Sequence, residues 1–205
     1  FAFISGMFAK SENSPTNVVR SVSTLLIPLL VFEVLYELYA VLTTGSVSPY
    51  ALSLQPYWIL WFLFSLFLWR LMLPIVMRTS SPLLLPISVG VLVGFVPVAF
   101  LFGISRTLVF FPFFVLGYML TPNFLVKLRR IHWSMYSSVV LLTIAFVTFH
   151  NDISPGWLYG SMSYASLEMN DWHAGLIRIL QYGASFIVGI SVLALIPRKK
   201  LFVSK

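Results

Sequence analysis

Cysteine is missing from the chain, which excludes disulfides and thiolate metal sites. Charge is nearly as scarce. Only 9% of the 205 residues are charged, against about a quarter in a soluble domain. So few charges do not cover a water-facing surface. The three histidines, His132, His150 and His173, follow no metal-ligand spacing, so no metal site is expected. A basic stretch ahead of an apolar one, the mark of a signal peptide, is lacking too. The chain opens on FAFISGMFAK as though inside a helix already under way, and is expected to be a fragment.

Apolar residues are abundant instead, at 59%, with a mean hydropathy of +0.94. The apolar stretches reach the roughly 20 residues that cross a bilayer as a helix. They are continuous, as in residues 83–102, whereas a membrane β-barrel needs alternation. The expected fold is therefore all-α: a polytopic transmembrane bundle of about six full spans plus a partial N-terminal one, forming one domain over 1–205. The partial span is 1–9. The full ones are 21–43, 57–77, 83–102, 106–121, 133–149 and 175–196, joined by links rich in Pro, Gly, Ser and Asn.

The net charge of +7 is read in that frame. Lys10 and Arg20, then Arg78, then Lys127, Arg129 and Arg130, then Arg198, Lys199 and Lys200 occupy every second link. The intervening links are uncharged or acidic, the last of them carrying Asp152, Glu168 and Asp171. This alternation follows the positive-inside rule, with Arg106 and Arg178 as mild exceptions near the outer side. It places the basic links and the C-terminal tail in the cytoplasm, in a cell (inner) membrane, and residues 150–174 outside. The lipid bilayer is the expected partner and nucleic acid is not. Trp157, Tyr159, Tyr164 and Trp172 in the outer link read as an interfacial aromatic belt, in preference to a platform that stacks on a sugar. GVLVG, residues 90–94, has the spacing of small residues that lets helices approach closely.

WFLFSLFLWRLMLP, residues 61–74, holds an arginine inside an apolar, aromatic run. Arg70 lies eight residues before Arg78, about 12 Å from the cytoplasmic end of its helix at 1.5 Å per residue. Glu33 and Glu37 share one helix face in the preceding span. Two readings stand. In one the charges neutralise each other, Glu33 with Arg70 and Glu37 with Arg106, because an unpaired buried charge costs several kcal/mol, on the order of 3 or more. In the other they line a polar cavity that holds an anionic ligand, since a guanidinium binds phosphate oxygens through its planar fork.

Several stretches together resemble a known family. FISGMFAK is similar to the SG-aromatic helix end of the acyltransferase-3 family of integral membrane proteins, in its fucose 4-O-acetylase-related branch. WFLFSLFLWRLMLP resembles that branch's WR…LP span, and SRTLVFFPFFVLGYML its R…FFPFF…GY span. WLYGSMSY, LIRILQY and LIPRKK resemble its late loop and last helices, in the same order. The family's basic cluster after the SG helix is reduced here to Lys10 and Arg20.

The resemblance implies a membrane enzyme of about ten helices. It would move an acyl group, often acetyl, from cytoplasmic acyl-CoA to a hydroxyl of a sugar or cell-envelope glycan. The partners would be acyl-CoA and a carbohydrate acceptor, with no tightly bound cofactor. The family's catalytic histidine belongs to a helix that would precede Phe1, and a final helix would follow Lys205. No catalytic residue is therefore expected within these 205 residues. Arg70 matches the WR arginine and is assigned to the acyl-CoA phosphates. Arg106 matches the R…FFPFF arginine and is assigned to the acceptor side. Ser5 and Gly6 match the SG motif, and Gly117 and Tyr118 the GY motif, as walls of the same cavity; Glu33 joins them as a binding residue. A transporter or flippase for a glycan or lipid-linked sugar is the alternative, given charges near mid-membrane and Pro28, Pro97 and Pro112 in the spans. A structural subunit whose buried charges merely pair is the third.

Overall fold

The structure, a computed structural model, describes residues 1–9, 20–52, 55–57, 59–96, 103–120, 133–149, 155–169 and 171–195. Among the described residues all regular structure is helical. In chain order the α-helices are α1 Ala2–Met7, α2 Ile27–Thr44, α3 Pro49–Leu52, α4 Leu60–Val76, α5 Leu84–Leu92, α6 Ile104–Met119, α7 Trp133–Phe149, α8 Pro155–Tyr159 and α9 Trp172–Leu195. A π-helical stretch, Val22–Leu26, leads into α2, and 3-10 turns occupy Val93–Phe95 and Ala165–Leu167. Val22–Thr44 and Trp172–Leu195 are long and apolar enough to cross a membrane. Leu60–Val76, Leu84–Phe95, Ile104–Met119 and Met135–Ile144 are apolar but shorter.

The chain forms two compact units. Phe1–Met119 and Ser154–Ile179 make the first, and Leu120–Ile153 and Leu180–Lys205 the second. In the second, Tyr182 is buried and stacks on Phe186, with ring centroids 6.3 Å apart.

Helix α6 is the axis of the first unit and packs on α1, α5 and α4. Trp69, Leu73 and Val76 of α4, Phe111, Phe114 and Val115 of α6 and Ala2 of α1 form one buried cluster. The contact between α1 and α6 is made possible by two glycines. A Cβ at Gly6 would overlap the carbonyl oxygen of Phe114, and one at Gly117 would overlap that of Phe3. The two backbones touch where only hydrogen fits. Between α4 and α6, Trp61 lies beside Arg106 and Phe110, and Trp69 beside Phe114. The two helices therefore run in the same direction.

Helix ends follow local chemistry. Gly45, at φ +69°, closes α2 in the left-handed conformation that glycine adopts freely, and its N–H bonds to the Val41 carbonyl at 2.9 Å. The expected span over 83–102 is helical only as far as Phe95 in its described part. Val96 is extended, at φ −97° and ψ 113°, because it precedes Pro97 and proline disfavours helix in the residue before it. Residues 97–102 lie outside the described residues. In GVLVG the close packing is made by Gly94. Gly94 accommodates the ring of Tyr164, which a Cβ would strike, and its carbonyl accepts the Tyr164 N–H at 2.7 Å.

Candidate functional site

The π-helical turn before α2 faces α4. There Arg70, half-buried on α4, donates from Nη1 to the hydroxyl of the buried Ser21 at 3.4 Å. Arg20 is the next residue and is exposed. Pro74, four residues on, has no N–H to offer the Arg70 carbonyl, so α4 loses a backbone bond at this level. Wide π turns and proline breaks often accompany functional positions in apolar helices. The local result is a guanidinium and a hydroxyl beside a proline-interrupted turn of α4.

At the other end of α4 a second polar cluster forms. The link after α2 folds back along that helix. The Tyr57 N–H reaches the carboxylate of Glu33 at 2.9 Å, and the Ser48 N–H that of Glu37 at 3.0 Å. Glu37 also accepts the Ser48 hydroxyl at 2.7 Å and the Tyr57 hydroxyl at 2.7 Å, and the two hydroxyls contact each other. Helix α2 ends seven residues beyond Glu37, so the link re-enters by about 10 Å. Glu33 and Glu37, one turn apart, supply the acceptors for this returning backbone. Tyr57 is sandwiched between rings, 5.3 Å from Tyr36 and 5.0 Å from Tyr50.

Arg106 sits in the first turn of α6, half-buried, with its guanidinium 5.5 Å over the Trp61 ring. The phenols of Tyr159 and Tyr50 are close enough to act on it electrostatically. Arg106 thus borders the aromatic row that ends on the Glu33–Glu37 face of α2. Behind it, Ser105 donates to the Gly160 carbonyl at 2.9 Å. The Ser65 and Thr107 hydroxyls meet at 2.6 Å, and the Trp69 indole donates to the Thr107 carbonyl at 2.7 Å. These buried bonds hold α4, α6 and the segment at Gly160 in register.

The neutralising pairs expected between Glu33 and Arg70 and between Glu37 and Arg106 are not formed. Both glutamates are engaged by the re-entrant link, Arg70 by Ser21 and Arg106 by Trp61. The physical reason is register. Helices α2 and α4 run antiparallel, so Glu33 is level with Tyr57, thirteen residues, or roughly 20 Å, from Arg70. Arg70 and Arg106 are separated as well. Arg106 is level with Trp61, nine residues up α4, or about 13 Å. Of the remaining expected residues, Gly6 and Tyr118 are brought together across the α1–α6 contact, with half-buried Ser5 next to them.

Sequence reasoning set Arg178 near the outer side but assigned it no role. It is 1% exposed and lies within 5.3 Å of the Trp157 ring and 5.8 Å of the Tyr164 ring. Its Nη1 donates to the Trp157 carbonyl at 2.7 Å. Trp157 and Tyr164 are accordingly buried in a small core with Ala174, not spread as an interfacial belt; Tyr159 and Trp172 are the exposed pair. Burial pushes the Tyr164 phenol above the usual tyrosine range, and the neighbouring Arg178 guanidinium acts against that rise. The signal was available: one arginine in an apolar helix, soon after an aromatic link. His132, His150, Asp152, Lys10, Lys127 to Arg130 and Arg198 to Lys200 lie outside the described residues. A search of protein-family models, curated proteins and solved structures with this chain finds no match in any of the three.

Proposed function

We propose that the chain belongs to an integral membrane O-acyltransferase that takes an acetyl or other acyl group from cytoplasmic acyl-CoA and places it on a hydroxyl of a sugar or cell-envelope glycan. In this reading the helices form a polytopic bundle in the cell membrane, with six full spans and a partial first one. Arg20, Arg70 and Arg78 lie toward the cytoplasm, and Arg106 with the re-entrant link lies toward the outside. The parallel course of α4 and α6, with α5 between them, is what alternate spans of such a bundle require.

One observation carries the reading. The three stretches that resemble the acyltransferase-3 family, on α1, α4 and α6, pack into a single core, with the SG and GY glycines interlocked. Motifs far apart in the chain converge on one core.

The chemistry divides along the bundle. A sugar hydroxyl is a weak nucleophile, so a base removes its proton as the oxygen attacks the thioester carbonyl. The resemblance assigns that base to a histidine on a helix before Phe1. The carbon–sulfur bond then breaks, CoA leaves as the thiolate, and the proton returns to it. Arg70 and Ser21 suit the donor's phosphates, since a guanidinium and a hydroxyl both donate to phosphate oxygens. Arg106 and its rings suit the acceptor. The test is transfer of acetyl label from acetyl-CoA in membranes carrying the complete protein, with and without added glycan. Label in the glycan is expected; intact acetyl-CoA under every acceptor condition would contradict the assignment.

A transporter or flippase for a glycan or lipid-linked sugar draws support from the re-entrant link tied to Glu33 and Glu37. It predicts movement of the glycan across vesicles without any use of acetyl-CoA.

A further inference from the structure

Four acidic residues are described: Glu33, Glu37, Glu168 and Asp171. The two nearest the aromatic row, Glu33 and Glu37, give their oxygens to Tyr57 and Ser48. Among the described residues no carboxylate is in ion-pair contact with Arg106, whose recorded contact is the face of Trp61. A half-buried guanidinium in apolar surroundings is costly without a counter-charge. The N–H donors of a guanidinium lie in its plane, a fork that fits a carboxylate two at a time.

The surroundings narrow the ligand further. Tyr50 and Tyr159 lie within electrostatic range of Arg106, and both are exposed. With Trp61 they place aromatic residues in the neighbourhood of one cation. Rings pack against the C–H faces of a pyranose and hydroxyls bond its oxygens, whereas a bare inorganic anion needs neither.

We infer that Arg106 reads the carboxylate of an acidic sugar in the acceptor, so that the enzyme selects anionic glycans over neutral ones. The inference rests on the acyltransferase reading for its biological sense, but the site can be tested without any acyl transfer. The complete protein in phosphatidylcholine nanodiscs, which supply no net anionic lipid, is titrated with a trisaccharide ending in glucuronic acid. A matched trisaccharide ending in glucose serves for comparison, and binding is followed by tryptophan fluorescence. The acidic sugar is expected to bind about tenfold more tightly, the scale of one charge-assisted pair. Arg106→Gln should reduce that ratio to about twofold or less, and Arg106→Lys, which keeps the charge but not the fork, should retain part of it. Equal binding of the two sugars by the unaltered protein overturns the inference, and so does a ratio that survives in Arg106→Gln. The two levels separate cleanly. An Arg106-dependent preference without acetyl transfer removes the acyltransferase and leaves the anion site. Transfer to both sugars without preference removes the anion site and leaves the acyltransferase.

Discussion

Helices α6 and α2 are made of the same kinds of residue, yet they occupy opposite surroundings. Half of α6 is buried, from Ser105 and Thr107 through Phe111 and Phe114 to Gly117. In α2 only Leu29 is buried, and Leu30, Val31, Phe32, Val34, Leu35 and Leu38 are open. Apolar content therefore does not choose the central helix. What distinguishes α6 is small and hydroxyl-bearing residues at its contacts: Gly117 against α1, Thr107 against Ser65 and Ser105 against Gly160. In lipid, where tails are as apolar as leucine, close packing and internal hydrogen bonds bring helices together. Helix α2 has bulky side chains on its outward faces, as a lipid-facing helix does, and a single inward stripe through Ser21, Leu29, Glu33 and Glu37.

The contrast can be broken by substitution. The largest effect is expected at Phe114, fully buried on α6: Phe114→Ala should cost about 3–5 kcal/mol in reversible unfolding in detergent. Next is Gly117→Ala, whose new methyl meets the Phe3 carbonyl and should cost about 1–3 kcal/mol by the same measurement. Third, Arg70→Ala should raise the KM for acyl-CoA by about tenfold while leaving membrane insertion intact. An unchanged dependence of rate on acyl-CoA removes its donor role. Fourth, Glu37→Gln should loosen the re-entrant link, read as faster amide exchange at Ser48 with no change at Thr107. Smallest is Leu35→Ala on the 52% exposed face of α2, expected within about 0.5 kcal/mol of the parent. If Leu35→Ala matched Phe114→Ala, α2 would be as packed as α6 and the comparison would fail.

Much of the helix placement was legible in the residues. The starts and ends of α2, α4, α6, α7 and α9 lie within a few residues of the apolar runs, because breakers such as Gly45 and Gly103 flank them. In its described part the run 83–102 is helical only to Phe95, because Val96 precedes Pro97. The site was legible only in part. Arg70 and Arg106 announced themselves as charges in apolar helices. Their partners did not, because partners depend on register between helices, and the re-entry of the link to Glu33 left no apolar signature. Tyr57 carries its N–H to Glu33 from a stretch that reads only as the start of a span. The role of Arg178 was hidden for the same reason: its partners, Trp157 and Tyr164, come from a link expected at the surface.

The central claim is a divided enzyme, with the donor at the Arg70 end and the acceptor at the Arg106 end. Sealed vesicles of known orientation test it most directly, with acetyl-labelled CoA confined to the side of the basic links and the glycan to the other. The account predicts acetylated glycan across the membrane, and none when acetyl-CoA is supplied only on the glycan's side. Acetylation only when both substrates share one side, or from acetyl-CoA offered on either side equally, would contradict it.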